Sequence, residues 1–152
     1  MILKLIAAIA LAASSQMAFA HSGGIWADGV VTYPHPNGKL VTRDCQLFVP
    51  ARGQGDVTLK CGNWSTSTSE FNTKHESGKT IFSVIFRDVP GAPAGTSALY
   101  SGAYMRGSNR ALYYGDVFSG TGTGLSAESM EGWNYVGGFM FSKDIAADSN
   151  NP

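Results

Sequence analysis

The chain has 152 residues, a length that suits one domain with a real buried core. Eleven basic residues balance eleven acidic ones, which removes any electrostatic reason to expect nucleic acid or an anionic membrane surface as a partner. Charged residues are only 14% of the chain, while glycine, serine, threonine and aromatics are plentiful, a composition that favours strands and tight turns over helices.

The chain opens with Met1-Ile-Leu-Lys4, an apolar run from Leu5 to Ala13, and Ala18-Phe19-Ala20. This order of a basic start, a short apolar core and an A-x-A site predicts a signal peptide over residues 1–20, cut before His21. The run is too short to cross ~30 Å of hydrocarbon, and nothing later is apolar for long enough either. The expectation is a secreted or periplasmic protein, with residues 21–152 as a single β-rich domain and no membrane span in the mature chain. Lys4 leaves with the signal, so the charge balance stays close to neutral.

Residues 21–38 end in Tyr33-Pro-His-Pro-Asn-Gly38, a turn or irregular crossing after a short strand at 27–33. Lys39 to Val49 reads as a strand. Cys45-Gln-Leu-Phe-Val49 and Val57-Thr-Leu-Lys-Cys61 both alternate apolar with polar residues, around a glycine-containing turn. A hairpin centred on Gly53 sets Cys45 against Cys61, Leu47 against Leu59 and Val49 against Val57, with all six on one face. The two cysteines, the only ones in the chain, are therefore expected to form a disulfide, with Cα atoms about 4.5 Å apart. A metal pair is disfavoured, since no third thiolate and no nearby histidine supports it.

Residues 62–78 are polar and read as a surface loop or weak edge strand. Thr80 to Phe86 is the most apolar stretch and reads as a central strand buried on both faces. Ser97–Arg106 and Arg110–Phe118 read as a second hairpin turning at Gly107-Ser-Asn109, with Tyr100, Tyr104, Leu112 and Tyr114 on one face. Residues 125–131 could form one helical turn. Trp133 to Phe141 alternates so that Trp133, Tyr135, Phe139 and Phe141 share a face. Residues 142–152 read as a frayed tail. The count is about seven short strands, which predicts an all-β fold: a small antiparallel β-sandwich or barrel with one disulfide.

Catalytic signatures are absent: there is no G-x-S-x-G elbow, no H-E-x-x-H and no P-loop. Asp44 and Asp116 read as surface or cross-strand polar groups. Gly120, Gly122 and Gly124 lack the following helix that phosphate cradling needs. Asn63-Trp-Ser65 matches a glycosylation sequon, which matters only in a eukaryotic secretory route.

Two features point to binding. Cleavage after Ala20 would leave His21 at the amino terminus, where its amine and imidazole could chelate one metal, with His35 or His75 completing a planar nitrogen set suited to Cu(II). This arrangement resembles the histidine brace of secreted copper carriers and polysaccharide monooxygenases. The resemblance covers one residue and a count of histidines, and it implies copper as a cofactor. The second feature is the aromatics Trp26, Trp64 and Trp133, which could offer a flat surface to a sugar ring or a protein. Trp64 is the foremost candidate because it sits in a polar segment. Core packing is the competing reading, strongest for Trp133, Phe139 and Phe141.

The functional expectation is an exported, non-enzymatic β-domain that binds a protein or carbohydrate partner, or contributes to an envelope or extracellular assembly. It needs no cofactor. A Cu(II)-binding protein using His21 is the alternative, and a secreted hydrolase with an unrecognised site is the third.

Overall fold

The computed structural model describes residues 23–35, 37–51 and 55–145. The expected signal peptide, its cleavage site, His21, the hairpin centre at Gly53 and residues 146–152 lie outside the described residues. Nine antiparallel strands form one curled sheet, a half-barrel, and no helix is present among the described residues. They are β1 (Gly24–Pro34), β2 (Leu40–Pro50), β3 (Val57–Cys61), β4 (Trp64–Thr68), β5 (Phe71–Glu76), β6 (Lys79–Phe86), β7 (Thr96–Arg106), β8 (Arg110–Thr121) and β9 (Asn134–Asp144).

The sheet order is β4-β3-β2-β1-β9-β8-β7-β6-β5. Chain neighbours pair throughout, with one exception, and β9 returns to pair with β1. The exception is β4 and β5, which form the two edges. Every neighbouring pair in the row of nine is antiparallel, so the two outermost strands point the same way. β4 and β5 are thus two halves of one strand, kinked at Ser69-Glu70, that leaves β3 and takes up pairing with β6. The Thr68 hydroxyl accepts from the Glu70 backbone N–H at 3.0 Å, and the Ile85 N–H donates to the Glu70 carbonyl at 3.0 Å. The curl also brings β4 against β6.

The strand count exceeds the expected seven by two, and both extra strands come from residues 62–78. Their serines and threonines carry no hydrophobic alternation, yet they pair because edge strands need only one partner. β6 is second from an edge rather than central. It is buried on both faces only over Val84, Ile85 and Phe86, while Ile81 stays exposed.

The concave face holds the core. Leu47 and Val57, Leu59, Val84 and Phe86, Tyr113, Phe139 and Phe141 all point inward and are buried. Phe82 meets Tyr113 and Phe139 edge-on, each at 5.7 Å, and Tyr100 meets Phe86 at 5.5 Å and 88°. Such edge-to-face contacts add to the area that aromatic rings bury. The curl requires close backbone approach. Gly102 and Gly115 face each other across the β7–β8 ladder, and a Cβ on either would strike the other strand's backbone. Glycine at such a site lets a sheet bend sharply.

The predicted disulfide hairpin is found. Cys45 pairs with Cys61 and Leu47 with Leu59, and the Cα atoms of the bonded cysteines lie 4.3 Å apart. The second hairpin is shifted by one residue. Its turn is closed by the Gly107 N–H donating to the Arg110 carbonyl at 2.8 Å, leaving two residues at the tip rather than three. Tyr104 therefore opposes Tyr113, and Leu112 and Tyr114 point to the convex side. A one-residue slip turns every side chain over.

The β9 face is also corrected. Val117 pairs with Gly137 but Phe118 with Tyr135, so Val136 forms a bulge. Beyond it Phe139 and Phe141 point into the core, while Trp133 joins a convex-side cluster with Ile85, Leu99 and Leu125. Tyr135 is 66% exposed. Residues 125–131 make turns instead of a helical turn, and β9 runs on to Asp144, so Ser142 to Asp144 is strand and not tail.

Candidate functional site

Alternating strand direction sorts the connections to two ends. One end carries the β1–β2, β3–β4, β6–β7 and β8–β9 connections, and the other carries the β2–β3, β5–β6 and β7–β8 turns. His35 closes the β1–β2 turn, where its Nδ1 accepts from the Asn37 N–H at 3.4 Å. His75 lies near the β5–β6 turn, with Nδ1 3.0 Å from the Thr80 hydroxyl. The two imidazoles stand at opposite ends of the half-barrel, so they cannot serve one ion together. Among the described residues, no three histidine, cysteine, aspartate or glutamate side chains gather as a metal site.

Trp64, at the start of β4, pairs with Cys61 and packs half-buried against the core beside the disulfide. Trp133 is buried, and its Nε1–H donates to the Ser126 carbonyl at 2.8 Å. The tryptophan that faces outward is Trp26, 45% exposed on the convex side of β1. Its signal is in the sequence: Ala27, Gly29 and Val31 form the inward set of β1, so Trp26 must point out. Directly opposite on β2 is Phe48, with ring centroids 5.1 Å apart at 40°.

Beside this aromatic pair the convex wall of β1, β2 and β3 dips into an open hollow of about 590 Å³. Asp28, Val30, Asp44, Gln46 and Lys60 rim it, with Gly29, Cys45 and Gly62 completing the lining. Gln46 Nε2 donates to Asp28 Oδ1 at 2.8 Å, which fixes both groups. The rim side chains come from directly paired strands: Asp28 opposes Gln46, and Gln46 opposes Lys60. The hollow lies above the Cys45–Cys61 bond, on stiff ground.

The wall continues as an outward row that follows the registers Ile81–Ala103–Tyr114–Met140–Val30 across β6, β7, β8, β9 and β1. Ile81, Tyr114 and Met140 are 37%, 36% and 54% exposed. Lys74 borders the row at one end and Asp44 at the other. The next outward row is polar: Ser83, Ser101, Asp116, Gly138, Thr32 and Thr42, the last two with hydroxyls 2.9 Å apart.

At the loop end, Arg87 ties three segments together. Its guanidinium donates to both Glu70 carboxylate oxygens, at 2.7 and 2.9 Å, and to the Leu125 carbonyl at 2.8 Å. The hydrogen bonds from Arg87 hold the Glu70 carboxyl below its ordinary value, and the same bonds raise Arg87. In the core, burial raises the Tyr100 and Tyr113 phenols well above the ordinary range. Both tyrosines are packing groups, so these shifts mark burial rather than chemistry.

No helix among the described residues is long and apolar enough to cross a membrane. Fold and surface together describe a curled antiparallel sheet with a filled concave face. No protein-family model matches the chain, and no match was found among curated proteins or solved structures.

Proposed function

We propose that the protein is an exported, non-enzymatic β-domain that binds a partner through the convex wall of its sheet, as a secreted or periplasmic component of an envelope or extracellular assembly. The observation that carries this reading is the apolar row Ile81–Ala103–Tyr114–Met140–Val30, which spans five strands in register and leaves large side chains in water. Single exposed apolar residues are ordinary on any surface, but contiguous patches mark interaction sites. Tyrosine and methionine are the residue types that interfaces favour. The concave face is occupied by packed aromatics, which leaves the convex wall as the surface on offer. The Cys45–Cys61 bond suits an oxidising compartment.

The test is site-specific photocrosslinking in the secreting cell. A photoreactive residue at Tyr114 or Met140 should give one discrete adduct, absent when placed at Thr42 and lost when Met140→Asp is added to the Tyr114 probe. Equal adducts at all three positions, or none at Tyr114 and Met140, would remove the convex-row reading.

A further inference from the structure

We propose that the hollow beside Trp26 is a binding site for a neutral saccharide, with the Trp26 indole as the stacking surface and Asp28, Asp44, Gln46 and Lys60 as the hydrogen-bonding rim. The proposal deepens the convex-wall reading and rests on it for the use of that wall; Val30 is common to the row and the hollow, while Tyr114 and Met140 lie outside the hollow.

A pyranose ring presents a face of C–H groups and a rim of hydroxyls that each donate and accept. The wall offers the complement of both. Trp26 exposes nearly half its surface, and Phe48 holds its ring from the side. Aromatic rings of this kind pair a broad apolar face with little conformational freedom to lose. Asp28, the next outward side chain along β1 from Trp26, begins the rim, in which the Asp28 and Asp44 carboxylates accept, the Lys60 ammonium donates, and Gln46 does both. The Gln46–Asp28 hydrogen bond uses one Asp28 oxygen and the Gln46 amide nitrogen, so the second Asp28 oxygen and the Gln46 carbonyl oxygen can accept from a ligand.

Size and charge narrow the class. About 590 Å³ is within the range of small-molecule sites, though this one is wide open, as suits one or two residues of a longer glycan. Two carboxylates against one ammonium give no positive excess, so sulfated or phosphorylated sugars are disfavoured. The hollow sets four polar side chains in a lining that is otherwise apolar, the same mixture that the hydroxyls and C–H faces of a sugar present. The rim stands on three paired strands, two of them joined by a disulfide, so little backbone order has to be imposed on binding.

The experiment is calorimetric titration of the full secreted chain with neutral oligomers of glucose, mannose, galactose and N-acetylglucosamine, and with a sulfated oligomer as control. At least one neutral oligomer should bind saturably and shift tryptophan fluorescence. Trp26→Ala and Asp28→Asn should each weaken it about tenfold or more. Lys60→Ala, a solvent-facing change that leaves the thermal midpoint in place, should also weaken it and guards against a misfolded Trp26→Ala. Glu128→Gln, on the exposed connection between β8 and β9, should leave binding unchanged. Failure of every neutral oligomer to bind, preference for the sulfated one, or binding indifferent to both Trp26→Ala and Lys60→Ala overturns the assignment. If no sugar binds yet the Tyr114 crosslink persists, the saccharide site falls and the convex-wall reading stands. If sugar binds and no crosslink forms, the saccharide site stands and the apolar-row reading falls.

Discussion

Cys45 and Cys61 face each other across the β2–β3 ladder with Cα atoms 4.3 Å apart, directly beneath a rim made by Asp28, Asp44 and Lys60. The bond closes a loop of 16 residues in sequence separation, which the chain-entropy model equates with about 3 kcal/mol. Reduction, or the double change Cys45→Ala with Cys61→Ala, is expected to lower the denaturation midpoint by a corresponding amount. Chemical denaturation with and without reductant measures it. An unchanged midpoint would mean that the β2–β3 ladder is held by packing alone.

Trp133 is the largest side chain of the convex-side cluster, packed with Ile85, Leu99 and Leu125. Trp133→Ala deletes that packing and leaves the Ser126 carbonyl without its donor. The expected cost is about 3–5 kcal/mol. Trp26→Ala, on the open wall, should cost far less. Denaturant titration of the two variants side by side checks the order, and equal losses would contradict the assigned faces.

The same chain shows which features a sequence makes legible. The Cys45 hairpin is readable because its alternation is strict and both cysteines fall on one face, so a single register satisfies every constraint. The Tyr104–Tyr113 register is ambiguous by one residue because Gly107-Ser-Asn-Arg110 admits two-residue and three-residue tips, and aromatics on both faces give no preference. The bulge at Val136 separates Trp133 from Phe139, and a bulge leaves no periodic trace in a single strand. β4 and β5 are hidden because mostly polar side chains fill both of their faces, although burial alternates along β4. Trp64 reads as exposed for the same reason, since its polar neighbours disguise a strand whose inner side meets the core.

Glu70 supplies a test at low pH. Its folded pKa is lowered, chiefly by the hydrogen bonds from Arg87, so the pair adds stability above the ordinary glutamate range and loses it as pH falls through the depressed folded value. The two side chains are 35% and 43% exposed, so screening limits the contribution to at most about 1 kcal/mol. Glu70→Gln should flatten the loss of stability below about pH 4.3 relative to the wild type. Identical acid profiles for the two proteins would show that the pair carries no stability.

The alkaline limb has the opposite origin. Burial raises the phenols of Tyr100 and Tyr113, so in the folded protein both stay protonated after the unfolded chain has begun to ionise near pH 10. Above that pH the unfolded state binds fewer protons, and stability must fall by up to about 1.4 kcal/mol per pH unit for each phenol. Tyr100→Phe should shift alkaline unfolding to higher pH. Absorbance at the phenolate band, followed together with circular dichroism, should show these two rings ionising only as the sheet unfolds.

Gly102 and Gly115 mark one place where the curled sheet leaves no room for a side chain. They are opposed across β7 and β8, and a Cβ placed on Gly102 would run into the Tyr114 carbonyl and come within 2.8 Å of the Gly115 Cα. These are backbone atoms held by the ladder, so no side-chain rotation relieves the clash. Gly102→Ala should therefore force β7 and β8 apart and cost several kcal/mol, at the upper end of what single substitutions do. Gly124→Ala is the control, because a Cβ there meets nothing within 4 Å. Thermal denaturation should separate the two by many degrees. Amide exchange should locate the loss in the β7–β8 ladder first, since that is where the added carbon lies. A Gly102→Ala protein as stable as the Gly124→Ala control would mean that the curl does not need this close approach.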